Sequence, residues 1–78
     1  MNFVKETFLI EEQYQRFVYG QNNENIKRIS TETGAKIHIP PSDSTEKELT
    51  LLGQREQVAQ ALKEIQNIYA EKVSFFFF

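Results

Sequence analysis

The chain has 78 residues, 40% of them hydrophobic and 26% charged, with nine basic against eleven acidic side chains for a formal charge of -2. That length supports a single domain burying about 60% of its unfolded surface, in a composition typical of folded rather than disordered chains. With no cysteine, disulfides and thiolate metal sites are excluded and an intracellular setting is expected, while the near-balanced charge argues against strong, sequence-independent attraction to a phosphate backbone.

Residues 4–10 alternate around Phe8 and Ile10 and are rich in strand formers, which predicts a first strand. Glu11 and Glu12 follow, acidic residues suited to the positive end of a helix dipole. Tyr14, Phe17 and Val18 then recur at i, i+3 and i+4, one apolar face of a short helix over about 11–19. Gly20 stands where a left-handed glycine should end it. Asn22 or Asn23 is placed to cap a second helix over about 23–33, with Ile26 and Ile29 as its inward edge and Thr33-Gly34 as its stop.

Ala35, Ile37 and Ile39 alternate strictly with Lys36 and His38, predicting a strand over 35–40 that Pro40-Pro41 ends. After a polar loop, residues 48–52 predict a strand returning antiparallel to it. Val58, Ala61, Leu62, Ile65, Ile68 and Tyr69 then mark one face of a long helix over about 54–72. On that reading Leu62 is a core position, and alanine there should cost what other buried leucines cost, about 2–5 kcal/mol. The order β-α-α-β-β-α predicts an α+β fold in which helices cover one face of a three-stranded antiparallel sheet. Residues 73–78, ending in Phe75-Phe76-Phe77-Phe78, stand apart as a tail, either the start of a following repeat or a chain-end feature. Those phenylalanines are too few to span a membrane, and Lys5 and Glu6 interrupt any secretory leader.

Gly20 closing a short helix, the run NIKRISTETGAKIHIP at 25–40 and the run LTLLGQREQVAQALKEI at 49–65 resemble a type I K-homology (KH) domain. The resemblance covers roughly residues 4–72. RFVYG, TGAKIHIPPS and EQVAQALKEIQNIYAEK are further similar to a repeat of a protein with many tandem KH domains.

The resemblance implies a module that holds about four nucleotides of single-stranded RNA or DNA under a G-x-x-G loop. Two glycines there let backbone N–H groups approach phosphate oxygens at a helix start. This chain has Gly20-Gln21-Asn22-Asn23, with asparagine in the second glycine position, no basic residue between, and Glu24 directly after. Asparagine tolerates the left-handed backbone, so the turn should survive while its side chain takes phosphate space. By resemblance Val18, Tyr19, Ile26, Ile37 and the backbone around His38 form the base platform, and Lys27, Arg28 and Lys36 supply charge. An aromatic ring at Tyr19 is expected to stack on a base.

Plainer readings stand beside these. Val18, Ile26 and Ile37 also read as core with one edge toward a ligand, and Lys27 and Arg28 as a solvated helix face. His38 has no second histidine or cysteine near it, so no metal is expected, and no cofactor. Ser42-Asp43-Ser44 reads as a turn rather than a catalytic cluster. The expectation is a cytoplasmic RNA-binding repeat, by resemblance associated with ribosomes or the endoplasmic reticulum. It should grip single-stranded RNA weakly alone, beside neighbouring KH repeats, with no small-molecule substrate and no catalysis. The alternative is a structural or protein-interaction repeat that no longer binds nucleic acid.

Overall fold

Alternation in the strands and 3.6-residue spacing in the helices are satisfied together when one apolar sheet face meets one apolar stripe from each helix. The computed structural model, which describes residues 3–41, 43 and 45–77 with side chains up to residue 74, shows this arrangement. The elements are β1 (Phe3–Leu9), α1 (Glu12–Tyr19), a single 3-10 turn (Gln21–Asn23), α2 (Glu24–Thr33), β2 (Lys36–His38), β3 (Glu48–Gln54) and α3 (Arg55–Phe77). The order is the predicted β-α-α-β-β-α. Within the predicted polar loop, Ser42 and Ser44 lie outside the described residues, and Asp43 is part of a turn.

The sheet order is β1-β3-β2, every pair antiparallel. The last strand in sequence therefore lies in the middle, which is why Leu49, Thr50 and Leu51 are all buried there. Phe8 pairs with Leu49, Glu6 with Leu51 and Val4 with Gly53, while Ile37 faces Leu51 from the other side. Residues directly opposite share a face, so this row looks toward the helices. Ile10, Val18, Ile29, Val58, Ala61 and Ile65 close over it.

Three details differ from the sequence reading. On α1 the buried stripe is Tyr14, Val18 and Tyr19, whereas Phe17 is 39% exposed with the Arg16 guanidinium 5.9 Å from its ring centre. On α3 the innermost positions are Val58, Ala61 and Ile65, and Leu62 is only half-buried at the edge of the stripe. Finally, α3 runs to Phe77, so residues 73–77 continue the helix where the sequence reading set them apart. Its second half is held by Tyr69, whose ring meets Phe8 and Tyr14 edge-on at 5.8 Å each, a favoured aromatic geometry.

The α2–β2 corner positions everything that follows. Gly34 ends α2 in the left-handed conformation (φ 82°), its N–H bonded to the Ser30 carbonyl at 2.9 Å. A Cβ at Gly34 would lie 2.7 Å from Nε2 at the flexible end of Gln57 on α3, so it is the left-handed backbone that calls for glycine. Gln57 also accepts from the Gln54 amide at 3.1 Å, the reach-back half of a capping box. Thr33 Oγ1 donates to the Ile29 carbonyl at 2.7 Å and accepts from the Ala35 amide at 3.2 Å, which fixes how β2 leaves the helix.

Candidate nucleic-acid interface

Helix α2 and edge strand β2 diverge from that corner and leave an open cleft of about 570 Å³ between them. Ile26, Ile37 and Ile39 supply its apolar surface, and Asn23, Lys27, Ser30, Thr31 and His38 its polar rim. Because β2 is an edge strand, its outward backbone groups have no strand partner on this side. The cleft thus joins apolar surface to a sheet edge, with the loop Gly20-Gln21-Asn22-Asn23 at one end.

The loop's shape has identifiable causes. Gly20 has φ 80° and ψ 174°, a region essentially reserved for glycine, and so ends α1 outside the left-handed helical region expected of it. Asn22 (φ 56°) and Asn23 (φ 59°) both adopt the left-handed conformation, which asparagine accepts at less cost than other side chains. Asn23 occupies the capping position of α2, yet its side chain makes no cap hydrogen bond. A capping residue normally has extended dihedrals, and the left-handed backbone here directs the side chain elsewhere.

Asn25, which the sequence reading passed over, ties the loop shut. Its Nδ2 donates to the Val18 carbonyl at 3.1 Å, satisfying one of the open carbonyls at the end of α1. Its carboxamide carbon sits 3.1 Å from where a Cβ at Gly20 would be. Gly20 is therefore needed for packing against Asn25 as well as for its dihedrals. Three loop amides are spent internally: Gly20 on the Arg16 carbonyl, Asn23 on the Gly20 carbonyl and Glu24 on the Gln21 carbonyl.

The expected site residues divide into groups. Asn23, Ile26, Lys27, Ile37 and His38 come together along the cleft. Gln21 and Asn22 line a separate hollow at the loop tip with Glu24 and Lys27, so that Lys27 borders both depressions. Lys36 does not line this cleft; it lies in the row Lys5, Leu52, Lys36 across the sheet and lines a separate depression with Lys5, His38 and Thr50. Arg28 turns away into an exposed ion pair with Glu32 at 2.9 Å. Val18 has no exposure and Tyr19 has 7%. Neither lines the cleft, and both belong to the core cluster, which gives Tyr19 a packing role in this structure. Helical direction explains that placement: Tyr19 falls one residue after Val18 on the inward stripe. Ser30 and Thr31 line the cleft without having been singled out, since isolated hydroxyls on a helix give no periodic signal, and Ile39, read only as a strand position, lines it too.

Burial raises the Tyr19 hydroxyl pKa above its usual value near 10 by desolvating the phenolate. The folded state then holds this proton longer than the unfolded state. The associated stability is complete below about pH 10 and is lost as pH rises through the raised folded value. Tyr19→Phe should flatten this alkaline loss, measured as the difference between urea midpoints at pH 8 and pH 11 for both proteins. Equal losses in the two would mean that the ring is open to water.

Among the described residues no group of three or more His, Cys, Asp or Glu side chains could hold a metal ion, and no helix is long and apolar enough to cross a membrane.

Comparison with known proteins agrees with this geometry. The KH domain family model matches residues 5–67. Human vigilin is 37% identical over 67 residues, 86% of this chain, and chicken vigilin 35% identical over 63 residues, 81% of it. The chain spans about 5% of the length of these relatives. The solution structure of the first type I KH domain of human vigilin superposes with a TM-score of 0.83 at 28% identity, covering 95% of this chain and 79% of that one. The fourteenth type I KH domain of the same protein gives 0.79 at 23% identity, over 92% and 77% of the two chains, a likeness of fold. KH domains are nucleic-acid-binding modules rather than an enzyme family. With the family match, the element order and the cleft beside a Gly20 loop in agreement, the chain belongs to the KH domain family, in its type I form.

Proposed function

We propose that this domain is a single-stranded RNA-binding repeat whose own grip is weak and which acts beside other KH repeats in a longer chain. The observation that carries the reading is the cleft itself: apolar surface from Ile26, Ile37 and Ile39, with Lys27 at the rim. That combination suits a few unstacked bases whose phosphates pass the loop. The grip is weak because Asn23 carries a side chain where a phosphate would come closest. Two further features oppose the phosphate. Glu24 adds negative charge beside the loop tip, and the amides of Asn23 and Glu24 already have acceptors. Arg28 adds little, being engaged with Glu32. Linked to neighbours, such a module gains from effective concentration without any new contact.

The test is an NMR titration of the isotope-labelled chain with a pool of short single-stranded RNAs at two salt concentrations. Shifts should gather at Asn23, Ile26, Lys27, Ile37 and His38, approach saturation only at high RNA concentration, and weaken as salt rises. Tight binding that persists at physiological salt would refute the weak grip. No shifts at all would favour the second reading, a repeat whose surfaces serve packing or protein contacts, which the internally satisfied loop amides support.

A further inference from the structure

We infer that the open face of the sheet is a second nucleic-acid contact, where Lys5 and Lys36 hold phosphates of a strand that has left the cleft over β2; the inference rests on the RNA-binding reading above. The helices cover only the face that carries Phe8, Leu49, Leu51 and Ile37. Side chains alternate along a strand, so the opposite face carries the neighbouring rows Lys5–Leu52–Lys36 and Thr7–Thr50–His38. All of these but Thr7 line an open depression of about 650 Å³.

Two strands apart, the backbones of Lys5 and Lys36 are about 10 Å from each other, with Leu52 between them. Both side chains are exposed, and neither lysine has an ion-pair partner among the described residues. Like charges on one row do not stabilise a sheet, so the fold itself does not call for two cations here. Glu46 lines one part of the depression and Glu48 lies two rows from the lysines. The lysine row itself is free of carboxylates.

The same face is continuous with the cleft. Ser30, Ile37 and His38 line both depressions, which therefore meet across β2. Among the described residues no strand lies beyond β2 to close that path. A cleft of this family takes about four nucleotides, so a longer strand must continue over the protein or leave it. Phe3, 76% exposed, follows Lys5 on the open face and offers a ring on which a base can stack. Cations beside an exposed ring suit a strand held by its backbone, with no base read.

The experiment compares oligouridylates of about four and about twelve nucleotides, by anisotropy over a range of salt and by NMR shifts of the labelled chain. Extra binding registers alone favour the longer oligomer, so the variants decide. With it, Lys5→Gln and Lys36→Gln should each weaken binding about two- to fivefold, the worth of an exposed ion pair. Each should also flatten the log–log salt slope by about 0.7, and shifts should appear at Lys5, Thr7, Leu52 and Lys36. With the short oligomer, shifts should stay in the cleft and both variants should bind as wild type does. Lys63→Gln, which removes the same charge from an exposed position of α3, should change neither affinity. Unchanged long-oligomer affinity in both variants, or an equal loss in Lys63→Gln, would overturn the inference. So would shifts confined to the cleft, which would leave the open face, with exposed Phe3 and Leu9, to a protein partner. In those cases cleft shifts with the short oligomer keep the RNA-binding reading, whereas binding of neither oligomer removes both.

Discussion

Replacing Leu51 by alanine should cost about 2–5 kcal/mol, the range for large-to-small changes at fully buried leucines. Leu51 has no exposure, sits in the central strand, and has Glu6 and Ile37 directly opposite it on the two flanking strands. Truncating it opens a cavity that the strands cannot close without breaking register. At about 0.05–0.15 kcal/mol per residue, a domain this small has roughly 4–12 kcal/mol in total, so the variant should stand near the edge of folding. Leu62→Ala is the internal control. Leu62 is only half-buried, with one side on the shallow cleft between β1 and α3, and should lose less than half as much. Urea denaturation of both variants measures this, with a shared slope confirming two-state behaviour. If Leu62→Ala proved as costly as Leu51→Ala, the centre of the core would lie closer to α3 than the burial pattern places it.

That pair also marks what the sequence could and could not tell. Helical spacing over Val58–Tyr69 identifies an apolar face, and strict alternation over Ala35–Ile39 identifies a strand. Both signals are local, and both elements formed, the helix running on to Phe77 and the strand shortened to Lys36–His38. Local spacing does not say how far a neighbouring strand reaches across the face. Leu62 therefore looks equivalent to Ile65 in sequence, although Ile65 is buried and Leu62 borders the open depression between β1 and α3. The central place of β3 is likewise a matter of pairing and not of composition. In the site, Ile26, Lys27, Ile37 and His38 were legible because a helix and an edge strand follow each other through one glycine. Asn25, Ser30 and Thr31 were not: Asn25 and Ser30 bond carbonyls outside α2 that only the folded chain brings near, and Thr31 bonds back along its own helix without leaving a periodic mark in the sequence.

Restoring the loop should strengthen RNA binding by about tenfold, the worth of roughly one charge-assisted phosphate contact. The sequence suggests Asn23→Gly with Asn22→Lys, and the backbone redirects the second change. Asn22 has φ 56°, and lysine there would meet the left-handed penalty of about 1–2 kcal/mol that asparagine largely escapes. Gln21 is not among the positive-φ residues and lines the same hollow, so Gln21→Lys brings the charge without that strain. At Asn23 (φ 59°) glycine relieves the left-handed backbone while adding freedom to the unfolded chain. These effects oppose each other, and stability should change by less than about 1 kcal/mol. The measurement is fluorescence anisotropy of wild type and Asn23→Gly/Gln21→Lys against one single-stranded RNA over a range of salt. Besides the tenfold gain, one added phosphate contact should steepen the salt dependence by about 0.7 in log–log slope. A gain without the change in slope would assign the effect to relief of the Asn23 side chain, with lysine idle. Equal affinities in a folded double variant would mean that the loop does not limit binding. The limit would then lie with the amides of Asn23 and Glu24, which remain bonded to the Gly20 and Gln21 carbonyls whatever side chains they carry.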